Sequence, residues 1–173
     1  MPQLILNAIG PDRPGIVGDF TGHLHACGAN IIDSRMVNLR GQFAMIVLIE
    51  ADRDAAAKIH SSSPHVAETM GLRLTFAESE APVQPTAGIP FKLKTYSMDQ
   101  PGILHRVSEV LREYGVNIED LVARQESAPF MGTPLFQMEM RLTVPPDVSI
   151  RDLRSKLDSL CDVLNCDLDF EPA

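Results

Sequence analysis

Asp12-Arg13-Pro14-Gly15-Ile16 is the stretch that decides the fold of this chain, because it recurs as Asp99-Gln100-Pro101-Gly102-Ile103. The two stretches are 87 residues apart, and without a gap this offset gives nine identities over the 22 positions from Asp12 to Asp33. Beyond the quoted stretches, the same offset pairs Leu24 with Leu111, Gly28 with Gly115, Asn30 with Asn117, and Ile31 with Ile118. Such self-similarity predicts two copies of one structural unit.

Each copy has the pattern of a strand, a helix, two strands, a second helix and a last strand. Apolar residues alternate or run together in the strands and recur along one face of the helices. In the first copy, strands are predicted at Leu4–Ile9, Asn30–Leu39 and Phe43–Glu50 and around Leu72, Leu74 and Phe76. One helix carries Ile16, Phe20, Leu24 and Cys27 and ends at Gly28. The other starts near Asp54 and is expected to break around Ser61–Pro64, because proline removes a helical hydrogen bond.

The second copy repeats this order. Ile103, Val107, Val110, Leu111 and Tyr114 mark its first helix, and Ser149 followed by Asp152 is typical of the start of its second. Residues 79–90 are proline-rich and lack periodicity, so we expect a stiff linker between domains at 1–78 and 91–173. The predicted fold is α+β: two tandem ferredoxin-like (βαββαβ) domains, each with an antiparallel four-stranded sheet and helices on one face.

The third strand of the first copy, Phe43–Ile49, is apolar on both faces. A strand of this kind needs a second layer on the side that its own helices leave open. We therefore expect this sheet, or its edge, to pack against the other copy or another chain.

Composition excludes several classes of function. The formal net charge is −8 with no basic tract, so direct binding to nucleic acid is not expected. Cys27, Cys161 and Cys166 form no even disulfide framework, no signal peptide is apparent and no apolar run could cross a bilayer, which predicts a cytoplasmic protein without a membrane contact. No catalytic constellation, metal-ligand set or cofactor fingerprint is visible, so we expect no enzyme activity and no cofactor.

The repeated loop carries the chemistry that suggests a site. Pro14 and Pro101 preset the backbone for a helix, and Gly15 and Gly102 let another group approach the unused N–H donors there. Those donors suit a carboxylate. Gly15 is expected to have the negative φ of a first-turn residue. Asp12 and Asp99 either cap their helices or face an ammonium group. Since carboxylate and ammonium together define a free α-amino acid, the loop is a candidate amino-acid site, although it is also an ordinary turn into a helix.

Asn30 and Asn117 recur at the start of the following strand and can both donate and accept hydrogen bonds. In this fold the loop and that strand start lie at opposite ends of the helix between them. We therefore expect the loop of one domain to meet the asparagine of a neighbouring one. The first loop is the better candidate, because it has Gly10 and Arg13 where the second has Ser97 and Gln100.

The repeated βαββαβ pattern, the Asp-x-Pro-Gly-Ile turn and the Gly-x-Asn-Ile strand start resemble the ACT domain. That resemblance implies binding of a small amino acid, glycine or serine, between domains. The implied ligand-binding residues are Gly10, Asp12, Pro14, Gly15, Ile16, Asn30 and Ile31, with Asp99, Pro101, Gly102, Ile103, Asn117 and Ile118 in the second copy.

A closer resemblance is to two-domain ACT proteins that regulate transcription. It is carried by Asp12–Val17, Ser127–Pro129, Gly132–Phe136, Val144–Pro146, Leu160-Cys161, Asp167 and Glu171-Pro172. It implies action through a protein partner, a transcriptional activator or another regulatory protein, and self-association is left open. The alternatives are a regulatory subunit of an amino-acid metabolic enzyme and a small enzyme in its own right.

Overall fold

The computed structural model describes residues 3–78, 87–127 and 134–173. The chain forms two compact units, Met1–Val83 and Gln84–Ala173. Most of the expected linker (79–86) and the stretch 128–133, which carries part of the closer resemblance, lie outside the described residues.

The first unit has the expected order of elements. They are β1 (Gln3–Pro11), α1 (Ile16–Ala26), β2 (Asn30–Leu39), β3 (Gln42–Glu50), α2 (Arg53–Met70) and β4 (Arg73–Glu78). The strands form one antiparallel sheet in the order β2-β3-β1-β4, and both helices cover the same face. Alternation along β1 and β3 places Leu6, Phe43 and Ile49 in the core against Phe20 and Leu24 of α1.

The second unit repeats this architecture. Its elements are β5 (Ile89–Met98), α3 (Ile103–Glu113), β6 (Asn117–Ser127), β7 (Pro134–Val144), α4 (Ile150–Leu164) and β8 (Cys166–Pro172). The sheet order is β6-β7-β5-β8, again antiparallel. Ile89 and Pro90, which the sequence assigns to the linker, belong to β5, where they pair with Val144 and Thr143. The ferredoxin-like prediction is confirmed for both copies.

The expected break in α2 does not occur. The helix runs unbroken through Pro64 for 18 residues. Proline cannot donate to the carbonyl of His60, four residues earlier. The Ser63 hydroxyl donates to that carbonyl instead, at 2.8 Å, so the acceptor that Pro64 leaves behind has a partner. The serine run that suggested a break thus supplies the replacement donor.

Candidate functional site: the two helix starts

Gly15 and Gly102 precede α1 and α3 and have left-handed backbone conformations, with φ of +85° and +93°. The expectation of a negative φ at Gly15 is therefore wrong. Each glycine is the N-cap residue, one position before the first turn, and this conformation turns the chain into the helix. A side chain would be strained there because L-residues rarely adopt positive φ.

Backbone donors are available behind both glycines. The Gly15 carbonyl accepts the N–H of Asp19 at 2.9 Å, which closes the first turn of α1. The N–H groups of Val17 and Gly18 then have no acceptor within the helix. Among the described residues, no side chain caps either helix start. Of the two roles considered for Asp12 and Asp99, helix capping is therefore not observed.

The carboxylates of Asp12 and Asp99 are instead held by side-chain amides from the neighbouring strand. Asn38, near the end of β2, donates from Nδ2 to Asp12 Oδ2 and accepts the N–H of Gly41 at 3.0 Å. Gln125 in β6 donates from Nε2 to Asp99 Oδ2 at 2.6 Å. The sequence reasoning missed both amides. Asn38 and Gln125 are 87 residues apart, so the repeat could have found them, but they are not identical and they lie beyond the run of identities.

Arg13 and Gln100 distinguish the two loops. The Arg13 guanidinium lies at the start of α1, where it forms an ion pair with Asp19 at 2.7 Å and donates to the Pro14 carbonyl at 3.3 Å. Gln100 turns the other way and donates to the Leu164 carbonyl at the end of α4. The first loop therefore places a cation at the helix start, where Asp19 partly offsets its charge; Arg106 stands at the position of Asp19 in the second domain.

Five of the other predicted site residues have packing roles. The side chains of Ile16 and Ile103 are buried in the core, with exposed fractions of 2% and 1%, and those of Ile31 and Ile118 pack against it. Gly10 is required by close packing, because a Cβ there would lie 2.4 Å from the Gly71 carbonyl oxygen. Ile103 and Ile118 also border surface depressions beside α3.

Asn30 lies at the other end of the sheet from the first loop. The loop follows Pro11, which pairs with Gln42 at one end of β3, whereas Asn30 pairs with Glu50 at the other end. The eight residue steps between Gln42 and Glu50 span about 27 Å at the usual rise of a strand. The structure therefore does not bring Gly15 and Asn30 together within one domain, as expected from the sequence.

The two asparagines differ in their surroundings. Asn117 donates from Nδ2 to Glu119 Oε1 at 2.7 Å. This hydrogen bond, with a second from Thr143, lowers the pKa of the Glu119 carboxyl. The equivalent of Glu119 in the first domain is Ile32, the bulge residue of β2, which offers no acceptor. Asn117 is thus held by its own strand in a way that Asn30 is not.

A groove between α3 and β6 connects the two predicted elements of the second domain. At the start of α3 a depression of about 540 Å³ includes Gly102, His105 and Phe136 in its lining. A second depression, of about 490 Å³, continues to Asn117. Ser108 contributes to both. Loop and asparagine therefore lie along one side of the domain, at opposite ends of the groove.

Within residues 3–78, 87–127 and 134–173, no three potential metal ligands cluster together. The buried Cys161 and Cys166 belong to the core near the end of α4, and burial raises the pKa of the Cys161 thiol. In the same described part of the chain, none of the helices combines the length and apolar character that a membrane span requires.

The first domain can be compared with known domain families. Residues 2–77 match the family model of the ACT domain. The second domain repeats the topology of the first and its loop sequence. The first domain therefore matches the ACT domain, and the second resembles it in topology and loop sequence.

Its relatives are more specific. The chain is 26% identical to the glycine cleavage system transcriptional repressor of Escherichia coli strain K12 over 162 residues, which cover 94% of this chain and 85% of that protein. An unknown protein from Galdieria sulphuraria has a similar crystal structure, with 29% identity and a TM-score of 0.80 over 99% of this chain and 98% of that one. A crystal structure provisionally assigned as a glycine cleavage system transcriptional repressor has the same fold, with 21% identity and a TM-score of 0.74 over 99% and 98% of the two chains. The predicted resemblance to two-domain ACT regulators is confirmed.

Proposed function

We propose that this chain is an amino-acid-responsive regulatory protein that acts through a protein partner and not as an enzyme. A small α-amino acid, glycine or serine by resemblance to its relatives, binds at the start of α1 or α3. Binding then changes the affinity of the chain for a regulatory protein such as a transcriptional activator.

The observation that carries the proposal is the pairing of opposite charges at each helix start. Unused backbone donors and the positive end of the helix dipole suit the ligand carboxylate. Asp12 or Asp99, fixed by its side-chain amide, suits the ligand ammonium. In the first domain the Arg13 guanidinium adds positive charge beside the carboxylate position. We rank the first loop above the second for this reason.

The second half of the site comes from a neighbouring domain. β2 and β6 are edge strands, with unpaired backbone groups along one side. In each strand the asparagine is the first residue, and the residue bonded to the loop aspartate lies towards the end. When two such strands pair antiparallel, the start of one lies beside the end of the other. Asn30 or Asn117 of one domain then approaches the loop of its neighbour.

Action through a protein partner is favoured by charge. A net charge of −8 repels the DNA backbone. In an electrophoretic assay at about 0.15 M salt, we expect no shift of DNA by submicromolar chain alone. A sequence-specific shift under those conditions would contradict the partner-mediated mechanism and leave amino-acid binding untouched.

The proposal is tested by a thermal-shift screen with the common amino acids at about 10 mM, well above the micromolar to millimolar affinity expected for so small a ligand. We expect one or a few small amino acids to raise the midpoint of unfolding. Asn30→Ala should weaken their binding by about 1 to 3 kcal/mol, because a polar group of the ligand is left without its partner. The absence of any shift with every amino acid would refute the function.

A further inference from the structure

The two sheets differ at the centre of the face that their own helices leave open. On the second sheet this face is charged, and its salt bridges join Lys94 to Glu139 at 3.6 Å and Arg141 to Asp120 at 3.9 Å. Strand register places the following side chains there: Lys92, Lys94, Asp120, Glu139, Arg141, Asp169 and Glu171. This is the surface of a sheet that faces water.

The first sheet carries apolar residues at several of the matching positions, although Asn7 replaces Lys94, Thr75 replaces Asp169 and Asp33 matches Asp120. Register places Ile5 where the second sheet has Lys92, Ile46 in place of Glu139, and Leu48 in place of Arg141. Ile9 and Ile46 are each 46% exposed. Ile5, Ile46 and Leu48 also line a depression of about 200 Å³ beside Asp33 and Arg35. Since the same fold has a charged face in the second domain, the fold itself does not require these apolar residues.

We propose that the open face of the first sheet is a dimer interface, occupied by the same face of a second copy of this chain. Four strands about 4.8 Å apart and four rows of outward side chains span roughly 500 Å² per copy. Two copies would therefore bury about 1,000 Å², the lower limit for a specific interface. This inference concerns a different surface from the helix starts and does not depend on amino-acid binding.

The residues of this face complement one another across a two-fold axis. β1 and β3 are antiparallel neighbours in the centre of the sheet. A two-fold axis that runs parallel to the strands, between the two copies, therefore places β3 of each copy over β1 of the other. Register then places Leu48 opposite Ile5 of the other copy, and the small Ala44 opposite Ile9. Between these pairs Ile46 lies opposite Asn7, whose side-chain amide already donates to the Thr75 hydroxyl at 3.1 Å. The charged Asp33, Arg35 and Arg73 lie on the edge strands, at the rim, where water can reach them. Another protein would need a matching face, whereas a second copy already has one.

The test is the association state of the full chain by sedimentation equilibrium from about 0.1 to 100 µM, a range that brackets a micromolar dissociation constant. We expect a monomer–dimer equilibrium for the wild type. The double substitution Ile46→Glu/Leu48→Arg transfers the second sheet's own residues to the first. It should weaken the dimer by at least about 100-fold, because it buries charges in the centre of the interface.

Val163→Glu is the matched control, since Val163 is 67% exposed on α4, outside the proposed interface. It should dimerise like the wild type. Circular dichroism shows whether the double variant is folded. If it is not, the single variant Ile5→Lys is compared with the wild type by sedimentation equilibrium instead. A wild type that stays monomeric throughout would overturn the proposal, as would a folded double variant, or a folded Ile5→Lys variant, that dimerises like the wild type.

Discussion

Gln125 donates a hydrogen bond to the carboxylate of Asp99 at 2.6 Å, and Asn38 does the same for Asp12, 87 residues earlier. In both domains a side-chain amide from an edge strand therefore fixes the aspartate of the loop. The pair survives a change of amide from asparagine to glutamine, whose side chain is one methylene longer. This relationship holds the loop aspartates in place, as the proposed binding of a ligand ammonium group requires.

Removing the amide should affect ligand binding more than folding. We expect Asn38→Ala to cost about 0.5 to 1.5 kcal/mol of unfolding free energy, because the bond is exposed and water can replace it. Affinity for the amino acid should fall as well, since Asp12 is no longer held. Ser159→Ala is the control: it removes an exposed side-chain bond on α4, to the Ser155 carbonyl at 2.8 Å, away from the loop and from the open face of the first sheet. Calorimetric titration of both variants checks this, and equal affinities would contradict a role for Asn38.

Ser63 should stabilise α2 only because Pro64 follows it. Ser63→Ala should cost about 1 kcal/mol of unfolding free energy, since the His60 carbonyl loses its donor. In a Pro64→Ala background the same change should cost almost nothing, because the restored N–H of residue 64 takes over. Chemical denaturation of the wild type, the two single variants and the double variant gives the coupling free energy between Ser63 and Pro64. Ser61→Ala is a control, because the Lys58 carbonyl keeps its bond from Ser62. Additive costs would contradict this account.

Periodicity and the 87-residue repeat were sufficient to predict the order of elements, the sheet class and the separation of Asn30 from the loop. Two local expectations failed for physical reasons. A proline rule cannot foresee that Ser63 replaces the missing donor. The φ of Gly15 depends on whether the glycine precedes the helix or begins it, and the sequence places that boundary only within a residue or two. The Asp12–Asn38 contact joins residues 26 positions apart and needed the register of β2.

Glu119 should weaken ligand binding at the second asparagine. Glu119→Ile, the residue of the first domain, should release the Asn117 amide and raise the affinity of the site that Asn117 completes. The folded-state pKa of the Glu119 carboxyl is lowered, so its hydrogen bond with Asn117 contributes to stability above the ordinary pKa of 4.5. That contribution is lost as the pH falls through the folded-state pKa. The gain should therefore be equal at about pH 6 and pH 8, where the carboxyl is ionised throughout. Calorimetry at both values tests this, and a gain confined to one of them would exclude the mechanism.

The most direct test of the central claim compares amino-acid binding by Gly15→Ala, Gly102→Ala and Gly71→Ala. All three glycines have positive φ, and an added Cβ would have no protein atom closer than 4.0 Å. Each change should therefore lower the free energy of unfolding by a similar amount, about 1 to 2 kcal/mol. Gly71 ends α2 and lies beside Gly10, but it is not at the start of α1 or α3, so it controls for backbone strain alone. In calorimetric titrations with the amino acid found in the screen, Gly71→Ala should bind like the wild type. Gly15→Ala should lose most of the heat, and Gly102→Ala less. Unchanged binding by both loop variants, or an equal loss in all three, would contradict a site at the helix starts.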